Sequence, residues 1–203
     1  MILDIFVLSV VFAAFQKIRR RREKIDGLER EIDDFRHWHS PTAGYRIAGN
    51  IKRLNEYDID KFCLYDCYLS DTRLDQVDAR KSNFKGAAIE KTSFHDADLT
   101  GSFFMWSEMK NAHCVEATFD EARFIEADLS EVKFGYASLR NTSFEETDLS
   151  DASFKNADLT GANLKTAEGL TVPQLSEAES LKGASLPSDL DEVMREEYDE
   201  LFE

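Results

Sequence analysis

The sequence predicts a β-solenoid with α-helical flanks, and two observations carry that prediction. From Phe62 to Thr166 the chain repeats every five residues with no insertion, and the third residue of all 21 units is apolar: nine Leu, eight Phe, and Ile89, Met109, Ala79 and Cys114. The first residue of each unit is Ala, Ser, Thr, Cys or Val in 20 of the 21, Phe62 being the exception. A period of five matches neither the 3.6 of a helix nor the 2 of a flat strand. It matches a coil that turns a corner every five residues, with two positions per unit inward and three outward.

The units Ala97-Asp98-Leu99-Thr100-Gly101 and Ala157-Asp158-Leu159-Thr160-Gly161 resemble the consensus of the pentapeptide-repeat family at nearly every position. The resemblance covers about half of the chain and implies a right-handed quadrilateral β-helix, square in cross-section, with four units per coil. The 21 units then make about five coils, and at roughly 4.8 Å per coil the rod is about 25 Å long. Residues twenty apart should stack, and the residues themselves test this. Third positions 64, 84, 104, 124, 144 and 164 are Leu, Phe, Phe, Phe, Phe and Leu; 69, 89, 109, 129 and 149 are Leu, Ile, Met, Leu and Leu. The third face (74, 94, 114, 134, 154) is Leu, Phe, Cys, Phe, Phe, and the fourth is Ala79, Leu99, Phe119, Leu139, Leu159. Two opposite faces are Phe-rich and two aliphatic, a segregation that stacked ladders produce and that five-residue periodicity alone does not require. Each large inward side chain contributes about 1.5–3 kcal/mol, and both ends of such a stack need caps.

Before the repeats, residues 1–38 read as one helix. Met1 to Phe15 is apolar apart from Asp4 and Ser9, and Gln16 and a basic run through Lys24 follow. A secretory signal has the reverse order of charge and apolar run. The expectation is a single membrane anchor over residues 1–24, with the repeat domain on the cytoplasmic side of an inner or plasma membrane. A helix lying in the interface, or one packed on protein, are the alternatives. Ile18, Ile25, Leu28, Ile32 and Phe35 continue a helical stripe to about Trp38, which either packs on its own chain or seeds a short coiled coil. Residues 39–61 hold a second helix opened by Ser40-Pro41, with Ile47, Ile51 and Leu54 on one face, expected to cap the first coil.

After the β-helix of residues 62–166, residues 167–203 form an acidic tail. Thr171-x-x-Gln174 has capping-box spacing and predicts a helix to about Leu181. Ser188-x-x-Asp191 opens another to about Leu201. The tail resembles those that follow bacterial members of the family and is expected to cap the last coil. Its exchange between two chains, giving a homodimer, is the second arrangement.

Charge and composition narrow the function. The net charge of −15 is spread as +2 over residues 1–61, −8 over 62–166 and −9 over 167–203, which excludes direct nucleic-acid binding by the body of the protein. Three cysteines do not make a disulfide framework, and Cys67 and Cys114 fall at inward positions. His37 and His39, two apart on a helix, face different ways and do not pair as metal ligands. No catalytic motif is present and a convex rod offers no enclosed site, so no catalytic residue, cofactor or metal is assigned and the protein is read as non-enzymatic.

What remains is surface. Phe103, Met105 and Trp106 cluster around inward Phe104, and Ile125 stacks below Met105. Around the corner come Glu126 and Glu146, then Glu108, Asp128 and Asp148. An apolar patch with an acidic border suits a protein partner with a basic surface, membrane-associated if the anchor holds, and the expected function is a membrane-tethered interaction scaffold. Cover by the chain's own flanking helices is the competing expectation for the patch. The second function class is a DNA mimic, resembling the family members that bind gyrase through an acidic helical surface. Its rod is short here, uninterrupted by loops, and its charge is concentrated in the tail.

Overall fold

The computed structural model describes residues 2–203, and the side-chain surroundings of residues 7–203. Parallel bridges join residues twenty apart throughout the repeats: Cys63 with Asn83, Asn83 with Phe103, Phe103 with Arg123 and Arg123 with Ser143 on one side, and equivalent series on the other three. Four units therefore make one coil, and the first to fifth coils are residues 62–81, 82–101, 102–121, 122–141 and 142–161.

Each five-residue step has one construction. The third residue lies inward and its carbonyl accepts from the amide three residues on, as in Cys67 N to Leu64 O at 3.2 Å and Ser107 N to Phe104 O at 3.1 Å. The fifth residue has positive φ in unit after unit, from Asp66 (52°) to Asn156 (55°), with Gly at 86, 101 and 161. This is the geometry of a type II turn, which needs a left-handed residue at that position. The first residue tucks inside the corner, where only a small or β-branched side chain fits; Ala87, Thr92, Ser102 and Ala112 are wholly buried there. Buried hydroxyls at these positions bond to carbonyls: Thr142 Oγ1 donates to Phe119 O at 2.9 Å and Thr147 Oγ1 to Phe124 O at 2.7 Å.

The core is a set of side-chain ladders. Phe84, Phe104, Phe124 and Phe144 stack face to face with centroid spacings of 4.7, 4.8 and 5.4 Å. Across the coil, Phe104 meets Phe119 edge-on at 5.8 Å and Phe119 meets Phe134 at 5.7 Å. The edge contacts are an arrangement that aromatic quadrupoles favour.

At the N-terminal end, α1 (Ile2–Phe35) and α2 (Pro41–Asn55) cover the first coil. Ser40 caps α2, its Oγ accepting from Ala43 N at 3.3 Å, and Ala43, Ile47, Ile51 and Leu54 are buried on the coil. Gly44 allows this close approach, since a Cβ there would lie 3.0 Å from Tyr68 O. Asn55 stands in for a missing strand: its Nδ2 donates to Ile59 O and Asp78 O at 2.8 and 2.7 Å, and its Oδ1 accepts from Asp78 N at 3.0 Å. From Ile25 onward the stripe of α1 packs on its own chain, with Ile32 buried and Ile25, Leu28 and Phe35 against the core, while Ile18 stays exposed. The helix stops at Phe35, short of Trp38, where Arg36 turns back to stack 4.1 Å over the Tyr65 ring and donate to Tyr65 O.

The membrane anchor expected over residues 1–24, and the membrane localisation that rested on it, are corrected. Among the described residues no helix is long and apolar enough to cross a membrane. The apolar run gives out after Phe15, where Gln16 and Lys17 follow, and fifteen helical residues reach only about 22 Å against a hydrocarbon core of about 30 Å. Met1 and the side chains of residues 2–6 in that run lie outside the described residues.

At the C-terminal end, pairing continues past Thr166. Asp148 bridges Glu168, and after two extra residues Asp158 bridges Ser180 and Asn163 bridges Ser185. The helix expected from Thr171 to Leu181 is only α3 (Val172–Ser176). Gln174 ties this short helix to the coil: its Oε1 accepts from Thr171 Oγ1 at 2.8 Å while its Nε2 donates to Leu149 O and Ala152 O, both at 2.9 Å. Then α4 (Ser188–Glu197) and the 3-10 turn Asp199–Phe202 fold over the end, with Met194 buried and Leu181 N donating to Leu201 O at 2.6 Å. The tail thus packs on its own chain.

Candidate interaction surface

The face carrying Asn83, Phe103, Arg123 and Ser143 is the one on which the apolar patch was expected. Phe103 points outward because it precedes inward Phe104, and Trp106 sits at the following corner with φ of 59°. Phe103 is 38% exposed and Trp106 48% exposed, while Met105 and Ile125 between them are half-buried. The flanking helices leave both rings open. The four side chains lie together in the third and fourth coils.

The acidic residues follow around the edge. Glu126 and Glu146 occupy the same corner as Trp106, one and two coils on, and both are exposed. On the adjoining face Glu108, Asp128, Asp148 and Glu168 are joined in one series of bridges. Like charges stacked at about 4.8 Å repel, and local donors offset this in part. Asp128 Oδ1 accepts from Ser130 N and Oγ at 2.9 and 2.6 Å, Asp148 Oδ1 accepts from Ser150 N at 2.9 Å, and Lys110 lies 3.2 Å from Glu131.

The sequence reading missed the basic side of this face. Lys85 Nζ lies 4.2 Å from the centroid of the Trp106 ring, and the Arg123 guanidinium 5.8 Å from that of Phe103. With Lys61 and Lys81 they line an open trough of about 1110 Å³, together with Phe103, Met105, Ile125, Glu121 and Glu145. The twenty-residue register, applied to outward positions, would have found it: 85, 105, 125 and 145 read Lys, Met, Ile, Glu. Also missed was the left-handed fifth position, signalled by Gly86, Gly101, Gly161, Asn111, Asn141 and Asn156 all falling there.

Burial pushes the Cys67 thiol up to about 12 and Cys114 well above its usual range. His37 and His39 lie against different rings, Tyr65 and Tyr68. Among the described residues no group of three or more His, Cys, Asp or Glu side chains is placed to hold a metal ion.

A family model described as pentapeptide repeats, in eight copies, matches residues 67–105, 104–135 and 127–165. Similar solved structures include the pentapeptide repeat protein Rfr23 from the cyanobacterium Cyanothece 51142, at 17% identity and a TM-score of 0.39, covering 50% of this chain and 63% of that one. Another is a pentapeptide repeat protein from the Arabidopsis thaliana thylakoid lumen, at 20% identity and a TM-score of 0.31, covering 66% and 75%. A third is HetL from Nostoc sp. strain PCC 7120, involved in heterocyst differentiation regulation, at 20% identity and a TM-score of 0.29, covering 68% and 90%. No curated protein matches the sequence significantly. Through its repeat segment, residues 67–165, the chain belongs to the pentapeptide-repeat family.

Proposed function

We propose that the protein is a non-enzymatic interaction scaffold, a stiff β-helix that presents the Phe103, Met105, Trp106 and Ile125 patch to a protein partner. The carboxylates of Glu126, Glu146, Glu108, Asp128 and Asp148 flank the patch and select a partner with a basic surface. One observation carries the reading: Phe103 and Trp106 stay open beside half-buried Met105 and Ile125, an apolar group on the outside of a rod whose Phe ladders are sealed inside. Apolar patches of a few hundred Å² mark interaction sites on soluble proteins, and Trp is enriched among residues that dominate binding energy. The net charge of −15 adds long-range attraction for a basic partner. Mimicry of DNA is not favoured, because Lys61, Lys81, Lys85 and Arg123 line the patch face and interrupt the acidic surface.

Trp106→Gly combined with Met105→Ser tests this reading. Glycine suits the left-handed backbone at 106, so the fold tolerates the change while the patch is lost. Tyr136→Gly is the control, since Tyr136 is also exposed, at 60%, and has the same φ of 59° on a different corner. Partner capture should fall about thirtyfold or more for the double variant and stay unchanged for the control. Equal capture by wild type and both variants would contradict the patch.

A further inference from the structure

The face that bears the patch is complementary to itself. Amide-to-carbonyl bonds from Gly86 to Met105, Trp106 to Ile125 and Glu126 to Glu145 set Lys85, Met105, Ile125 and Glu145 one above another in successive coils. The order along this column is cation, apolar, apolar, anion. Beside it, Phe103 and Arg123 are bridged neighbours in the third and fourth coils.

We infer that this face pairs with the same face of a second copy of the chain. Consider a two-fold axis lying in the face, parallel to the strands and midway between Met105 and Ile125. It exchanges the third coil with the fourth and the second with the fifth, and leaves each column facing itself. Met105 then meets Ile125, Phe103 meets the Arg123 guanidinium, and Lys85 meets Glu145, each contact made twice, as an isologous interface requires. Charge complementarity names the occupant, because a column with one sign at both ends would repel its own copy. Exposed Phe103 supplies the apolar centre and the rim charges set the register.

Size sets the strength. A face about 25 Å long and one strand wide buries well under about 1,200 Å² in total, the range of weak, transient association. Pairing covers Phe103 and Met105, so it competes with the scaffold partner for the same patch. The inference rests on that patch being open, as the scaffold reading does, and the two fail separately.

Sedimentation equilibrium of the full chain tests it at concentrations up to about a millimolar, the regime of weak complexes. Lys85→Glu alone sets Glu against Glu145 twice, and Glu145→Lys alone sets Lys against Lys85 twice. Each should weaken dimerisation about tenfold or more, with thermal unfolding confirming that both variants fold. An equimolar mixture of the two restores opposite charges at both contacts and should recover the wild-type dimer. A monomeric wild type, single variants that dimerise as well as wild type, or a mixture that does not recover would each overturn the pairing. If monomeric protein still captures its partner through Trp106, the pairing fails and the scaffold reading stands.

Discussion

Trp106 occupies a backbone conformation that glycine adopts more readily. At φ of 59° its Cβ crowds the backbone, at about 1–2 kcal/mol, while the Lys85 ammonium over its ring returns about 0.5–1 kcal/mol. Trp106→Gly should therefore change stability by no more than about 1 kcal/mol, measured by urea unfolding. Ser107 makes a second residue-scale case: its buried Oγ has no hydrogen-bond partner, and alanine or threonine fills the stacked positions at 87, 127 and 147. Ser107→Ala should stabilise the protein by about 1 kcal/mol, because it removes an unsatisfied polar group. The thiols make a third. Cys67 and Cys114 are buried with raised pKa values and Cys63 is exposed. A thiol-reactive dye at neutral pH should label one cysteine in the folded chain and three after unfolding.

At the scale of elements, the repeats were legible and the ends only partly so. Inward positions follow from a strict period, and each third position from Leu64 to Leu164 is buried. Ser40, Pro41 and the Ile47, Ile51, Leu54 face announced α2 through local rules, and the structure keeps them. The role of Asn55 was hidden, because its three bonds reach Ile59 and Asp78 and depend on where the coil places that backbone. Gln174 is a similar case: its spacing fits a capping box, yet its Oε1 accepts from the Thr171 hydroxyl and its Nε2 reaches the carbonyls of Leu149 and Ala152, which only the coil places there. Asn55→Ala leaves open backbone groups at the first coil and should cost about 1–3 kcal/mol, read as an early loss of protection in hydrogen exchange at the N-terminal end. Retained protection there would show that α2 caps by apolar cover alone.

For the whole molecule, stacking turns a one-dimensional sequence into columns of charge. At the patch, the outward positions of the third and fourth coils gave the apolar cluster and the carboxylates around its corner, whereas Lys85 and Arg123 were missed because the register was not carried back to the second coil or across to Phe103. Columns also set the response to acid. Burial alone would raise the carboxyls of Asp75 and Asp158. Bonds from Ser93 and Arg73 outweigh this for Asp75, and bonds from Thr160 and Arg140 for Asp158, holding both below the ordinary carboxylate range. Their stabilisation is complete above the unfolded pKa of about 3.9 and is lost as pH falls through the lower folded values. Melting temperature should therefore drop with acidification below about pH 4, and the drop should be shallower in an Asp75→Asn, Asp158→Asn double variant.

The claim that one face of the rod does the binding is tested most directly by placing a photo-crosslinking residue, one at a time, at outward positions on all four faces. Crosslinks to the partner should form from 103, 105 and 125 and weaken across 108 and 128, with none from 113, 133 or 138. Crosslinks of equal yield from 113 and 133, or none from 103 and 105, would contradict it.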